Sequence, residues 1–188
     1  DIIVFVDNCY GEFVEQEEPS QHGVDLMAGS LIKNPGAGIA PGGGYVVGRA
    51  DLVHRAACRL TIPGAGGELG ATLTDNRPFY QALFLAPQIV REALLGAVFA
   101  AALLEALGFA VSPRAGERCA DIIQSAQLGS AERLCAFCQG IQRYSPVESF
   151  VLPEPAPMPG YGNHIIMASG GFVAGSSIEL SADAPMRE

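Results

Sequence analysis

An almost continuous apolar run, Ile2-Ile3-Val4-Phe5-Val6, closes on Asp7-Asn8, and few architectures can absorb such a segment. Its β-branched and aromatic residues favour a strand, and the lack of alternation implies burial on both faces, as in the middle of a parallel sheet. Ligands meet such sheets at the C-terminal ends of the strands, so Asp7 and Asn8 are expected at the mouth of a crevice. Gly11 to Glu18 is acidic and turn-like, and Pro19 to Gly23 is a loop. Val24 to Ala28 then offers a second short strand, which delivers Lys33 on its far side. Strand, crossover, strand is α/β grammar.

Lys33 is the single lysine of a chain that holds ten arginines. A guanidinium stays protonated, whereas a lysine among apolar neighbours can lose its proton and attack a carbonyl carbon. Leu26, Met27, Leu31 and Ile32 supply such neighbours, and Ser30 with the glycines of Asn34 to Gly44 could receive an anion. Codon bias that left one lysine by chance is the competing reading. The address of Lys33, between an apolar dipeptide and an Asn-Pro-Gly turn, favours function.

Composition narrows the partners. With 188 residues, 49% of them hydrophobic and 16% charged, the chain can build a sizeable core. A net charge of −9 without a basic cluster argues against nucleic acid and acidic membranes. The longest apolar stretch, Ala93 to Leu104, is too short to span a bilayer and reads as a buried helix. Five cysteines, an odd number, fit a reducing cytoplasm better than a disulfide scaffold. An opening without methionine, directly into a strand, reads as a piece of a larger protein.

Further along, Tyr45 to Gly48 reads as a strand, and Ala50 to Leu60 as a helix with His54 and Arg55. Arg77 to Ala86 and Pro87 to Leu107 read as two helices, the second with proline in its first turn and Gly108 as cap. A domain boundary is placed there. Residues 1–108 form the larger unit and 109–188 a small α+β unit. In the second, Phe109 to Ser112, Asp121 to Ala126, Ser149 to Leu152, His164 to Ala168 and Ser177 to Ser181 read as strands. A helix from Ser130 to Tyr144 lies among them, capped by Ser130.

Competing motifs are weaker. Gly29 to Gly38 lacks the Gly-Lys-Ser/Thr ending of a nucleotide loop. Cys135-Ala136-Phe137-Cys138 lies inside a helix without a second pair, so packed thiols are expected there rather than zinc or redox chemistry. His22, His54 and His164 show no metal spacing, and no metal site is expected. Cys9 is read as structural.

Asp7, Ser30 and Lys33 together suit pyridoxal phosphate, which needs a lysine for the Schiff base, a carboxylate at the pyridine nitrogen and donors for the phosphate. The wording around them is specific. Val6-Asp7-Asn8-Cys9-Tyr10-Gly11-Glu12-Phe13, Ala28-Gly29-Ser30-Leu31-Ile32-Lys33-Asn34-Pro35-Gly36, Phe137-Cys138-Gln139-Gly140-Ile141-Gln142 and Ile178-Glu179-Leu180-Ser181-Ala182-Asp183 resemble the methionine gamma-lyase family, whose members are also called aluminium resistance proteins. The resemblance runs along essentially the whole chain.

That resemblance implies the C-terminal portion of a fold-type I pyridoxal phosphate-dependent large domain with a mostly parallel sheet, followed by a small α+β domain. It implies a homo-oligomer, dimer or tetramer, with shared active sites. By position, Lys33 resembles the Schiff-base lysine, Asp7 the pyridine partner and Ser30 a phosphate ligand. The implied reaction is carbon–sulfur elimination at the β- or γ-position of a sulfur amino acid. Aldol cleavage and transamination share the same electron sink, and a non-catalytic truncated paralogue serving as an assembly module is a further alternative. In the wider family an arginine precedes Leu-Ser and clamps the substrate carboxylate, whereas here Glu179 precedes Leu180-Ser181. Either Arg187 or another arginine takes that role, or the substrate is held differently. Ala37 stands where this branch carries glycine. The half that precedes the Asp strand in family members holds a glycine loop for the phosphate and an aromatic over the ring, so this chain alone is expected to form an incomplete site.

Overall fold

A computed structural model describes residues 2–186. Among the described residues three small sheets, three α-helices and three short 3-10 turns make an α/β arrangement. The first sheet joins β1 (Phe5–Asp7), β2 (Leu26–Ser30) and β3 (Gly44–Gly48) in that order. β1 and β2 are parallel, with Phe5 opposite Leu26 and Asp7 opposite Ala28. β2 and β3 are antiparallel, from Leu26 opposite Gly48 to Ser30 opposite Gly44. The glycine and proline loop between them turns the chain straight back, so no crossover helix intervenes and the pairing reverses.

β1 is shorter and more open than its composition implies. Ile2 is 92% exposed and Phe5 56%, because β1 has one neighbouring strand and nothing among the described residues covers its other edge. The expected burial on both faces is therefore absent in this chain.

α1 (Ala50–Leu60) follows β3 directly. Next comes α2 (Arg77–Ala106), one continuous helix where two were expected, with Pro87 inside it. Ala82, Ala86 and Val90 repeat every fourth residue and are fully buried, so one buried face continues through the proline. Ala82 and Ala86 close a core with Ala37 and Ala40 of the lysine loop, walled by Phe13, Ile39 and Phe79. Small side chains on both sides bring the helix close to that loop, and α2 thereby buttresses the segment after Lys33.

β4 (Ala110–Ser112) and β5 (Ser125–Gln127) form an antiparallel pair. The strand expected from Asp121 begins only at Ser125, since Asp121 Oδ1 accepts from Ile123 N at 2.8 Å and bends the chain. α3 (Ala131–Arg143) starts at Ser130, whose hydroxyl oxygen accepts from Arg133 N. It packs on the antiparallel pair β6 (Ile165–Ser169) and β7 (Ser181–Pro185) through Cys138, Ile166 and Ala168, with Cys135 against the same cluster. Burial pushes the Cys138 thiol up to about 11, which suits packed rather than reactive sulfur. Ser149 to Leu152 forms no strand, because Glu148 adopts a left-handed φ of 56° and Val151 N turns back to Glu148 O. Ser177 to Leu180 also stays outside the sheet. That segment curls toward Lys33 instead.

Candidate active site

Parallel pairing sets the C-terminal ends of β1 and β2 side by side, and the candidate residues lie there. Asp7 ends β1 and Ser30 ends β2. Asn8 does not face the opening: it is buried, its amide donating to Glu18 Oε2 at 2.8 Å. Asp7 is exposed, and the Cys9 amide donates to its Oδ1 at 3.1 Å. That bond, with the Cys9 thiol, holds the Asp7 carboxyl below its ordinary value, so it is ionised at neutral pH. Burial first, and then Asp7, push the Cys9 thiol up, while the Ser30 amide also bonds it. Cys9 thus sits between the carboxylate of Asp7 and the start of the lysine turn.

That turn is built from local bonds. Ser30 Oγ accepts from Ile32 N and Ser30 O from Lys33 N, each at 3.3 Å, which leaves the Ser30 hydroxyl hydrogen free to donate. Gly36 N closes onto Lys33 O at 2.9 Å, and a Cβ on Gly36 would collide with Leu31 O. Ala37 takes a left-handed φ of 48°, the conformation in which the glycine expected there carries no steric penalty.

Lys33 is half-buried, and its Nζ donates to Gly175 O at 2.5 Å and Ser177 Oγ at 3.2 Å. The Tyr10 ring centre is 5.4 Å away, within cation–π range. Tyr10 Oη is 3.0 Å from Ser177 Oγ, so phenol, hydroxyl and amine form one hydrogen-bonded chain. Among the described residues no carboxylate pairs with Lys33. Tyr10 is held there against its backbone preference, at a φ of 74°. The fully buried Asn34 secures it, donating to Tyr10 O at 2.9 Å and Glu12 O at 3.0 Å.

Asp7, Ser30 and Lys33 therefore share one end of the sheet. Tyr10, Asn34, Gly175 and Ser177 join them and were missed by sequence reasoning. Tyr10 and Asn34 lie inside the motifs around Asp7 and Lys33, which was the available signal. Ser177 is 144 residues from Lys33 and carries no charge or periodicity that would mark it. Glu179, where the wider family has arginine, keeps its carboxylate beside the lysine loop, its Oε2 accepting from Ser176 Oγ at 3.1 Å. Arg187 lies outside the described residues.

Comparison with known proteins covers the whole chain. A family model described as methionine gamma-lyase matches residues 1–188. An uncharacterized protein of Bacillus subtilis, YnbB, is 54% identical over 186 residues, which is 99% of this chain and 44% of that protein. An uncharacterized Lactobacillus delbrueckii protein is 53% identical over 98% of this chain and 60% of its own length. A carbon–sulfur lyase involved in aluminum resistance from Clostridium novyi superposes with a TM-score of 0.91 at 53% identity, covering 100% of this chain and 44% of that one. A protein of Clostridium acetobutylicum, provisionally assigned as a cystathionine beta-lyase involved in aluminum resistance, gives 0.93 at 51% identity with the same coverage. The chain thus spans roughly half the length of these relatives.

Proposed function

The chain belongs to the methionine gamma-lyase family, and from that premise we propose that it is part of a pyridoxal phosphate-dependent carbon–sulfur lyase acting on a sulfur amino acid. The observation that carries the reading is Lys33, a primary amine without a carboxylate partner among the described residues, one strand from the ionised Asp7.

The donor set fits the cofactor. Asp7, fixed by the Cys9 amide, presents a negative charge suited to a protonated ring nitrogen. Ser30 keeps a hydroxyl hydrogen for a phosphate oxygen, and Lys33 would hold the carbonyl carbon. When bound, pyridoxal phosphate supplies an electron sink for the negative charge that forms at the substrate's α-carbon.

The remaining steps belong to the chain's own residues. Lys33 Nζ is the base positioned to take the α-proton. Ser177 Oγ and Gly175 O accept its hydrogens and orient the amine, with the face of Tyr10 packed 5.4 Å from it. Through Ser177, the Tyr10 hydroxyl is linked to that amine. The Glu179 carboxylate repels a substrate carboxylate placed beside Gly38, so the substrate's carboxylate is held elsewhere. Sulfur leaves from the β- or γ-carbon.

The test is covalent trapping. The chain is incubated with stoichiometric pyridoxal phosphate, reduced with borohydride and mapped by peptide mass. Label on Lys33, lost in Lys33→Arg, is expected. Lys33 is the one lysine of the sequence, so a side-chain label has a single amine to report. Absence of label on Lys33 in this chain and again in a chain of family length would overturn the reading.

A further inference from the structure

Outside the site described above, one corner of the molecule brings a nucleophile and a proton acceptor together. His54 and Cys58 lie one turn apart on α1, a spacing that puts both side chains on the same face of the helix. His54 Nε2 is 3.6 Å from Cys58 Sγ, within hydrogen-bonding range for sulfur. Of the five free cysteines, Cys58 alone is exposed: Cys9, Cys119 and Cys135 are partly covered and Cys138 is buried.

The pair does not merely face solvent. It forms one wall of a cavity of about 430 Å³ whose other wall is the loop from Gly64 to Glu68. That loop is fixed to the end of α1 by Thr61, whose hydroxyl lies 2.8 Å from Ala57 O and 3.0 Å from Gly66 O. Gly66 adopts a φ of 50° directly over the pair, where a Cβ would stand 3.4 Å from Cys58 Sγ and 3.8 Å from His54 Cε1. The missing side chain leaves the sulfur open from the cavity. Glu68 is the charged residue on the loop side, and Arg55 and Arg59 flank the pair on α1 itself.

From this juxtaposition of imidazole, open thiol and glycine-walled cavity, we infer that Cys58 is a modification site that exchanges with low-molecular-weight disulfides. His54 Nε2 takes the proton from Sγ, and the resulting thiolate is the nucleophile. The thiolate attacks one sulfur of the disulfide. A bond from Sγ to that sulfur forms as the reagent's sulfur–sulfur bond breaks, and the departing thiolate carries away the electron pair and takes up the proton. Cys58 is oxidised to a mixed disulfide and half of the reagent is reduced to a thiol, so no other oxidant is needed. A second thiol reverses the step. None of this depends on the lyase reading, since it uses neither Lys33 nor a cofactor.

The experiment uses the reduced chain and a neutral dipyridyl disulfide, which avoids bias from the acidic surface. Release of the coloured thione is followed and the first-labelled cysteine is mapped. Cys58 is expected to react first at pH 7, about tenfold faster than a cysteine in an unstructured peptide. His54→Ala and His54→Gln, both checked for retained helix by circular dichroism, are each expected to remove most of that advantage. The unmutated chain carries a further readout. Below pH 7 the rate at an imidazole-paired thiol is held up, whereas that of an isolated thiol falls about tenfold per pH unit. First labelling at Cys9 or Cys119, a Cys58 rate equal to that of the peptide, or a rate indifferent to both His54 variants would overturn the proposal.

Discussion

Glu12 is the residue whose surroundings are least comfortable for a charge. It is 4% exposed, its Oε1 accepts from Tyr45 Oη at 2.7 Å, and its Oε2 is buried without a partner among the described residues. Burial, aided by the charge of Glu18, pushes its carboxyl up from the ordinary 4.5, while the Tyr45 bond opposes the shift. Because the folded value is the higher one, folding holds the proton longer than the unfolded chain does. The stability so gained is complete below pH 4.5 and is lost as pH rises through the folded value. Glu12→Gln keeps the acceptor for Tyr45 and removes the titration. Its stability should equal that of the parent in acid and exceed it by about 1 kcal/mol at neutral pH, as read from urea midpoints across that range. A smaller difference at neutral than at acid pH would contradict the burial argument. Asn34 shares that feature in part: both amide hydrogens are engaged, while its Oδ1, like Glu12 Oε2, is buried without a partner among the described residues. Asn34→Ala leaves Tyr10 O and Glu12 O unpaired, and a loss of about 2–4 kcal/mol is expected. Trapping of pyridoxal phosphate on Lys33 should weaken with it, because Asn34 holds the strained Tyr10 beside the amine.

At the scale of elements, Pro87 marks the point where local and tertiary forces disagree. Its ring removes an amide hydrogen from the helix and crowds the carbonyl of Leu83, which locally favours a break. Burial of Ala82 and Ala86 against the lysine loop, with Val90 buried one turn beyond the proline, overrides it, and α2 runs on for 30 residues. Pro87→Ala restores the missing donor on an exposed face and should stabilise the chain by about 1–3 kcal/mol, with a raised Tm in calorimetry. An unchanged or lowered Tm would mean that the helix already accommodates the ring. The same contrast explains how far the sequence could be read. α1 spans the residues read for it and α3 follows its Ser130 cap, so their bounds were legible. The strand expected at Ser149 to Leu152 failed because Glu148 turns the chain, and the one at Ser177 to Ser181 because Ser177 goes to Lys33. The placement of Asp7, Ser30 and Lys33 at one end of the sheet was legible because each closes or follows a short strand. Ser177 was not, since a contact across 144 residues leaves no local pattern.

For the whole molecule, two opposing surface properties decide whether the chain stays single. The net charge of −9 disfavours association of copies. Against it stands exposed apolar surface: Phe5 beside the open edge of β1, and Tyr80, Phe84, Leu95 and Phe99 along α2, of which Phe84 is 84% exposed and Phe99 69%. Charge repulsion between separated surface groups is screened beyond about 8 Å at physiological salt. Apolar burial is not screened and contributes about 25 cal/mol per Å² removed from water. Attraction should therefore win as salt rises. Sedimentation of the chain is expected to give a species larger than 19.6 kDa, more so at high salt, with binding of an apolar fluorescent dye at low concentration. Phe84→Ser with Phe99→Ser should shift it toward the monomer without loss of helix, because both side chains point away from the Ala82–Ala86–Val90 face. A monomer at every salt concentration, with no dye bound, would show that the open edge and the α2 stripe are too dispersed to act as one surface. If the double variant associates as before, the edge of β1 is the surface that joins the copies, and a proline in place of Phe5, which cannot donate to an added strand, should then separate them.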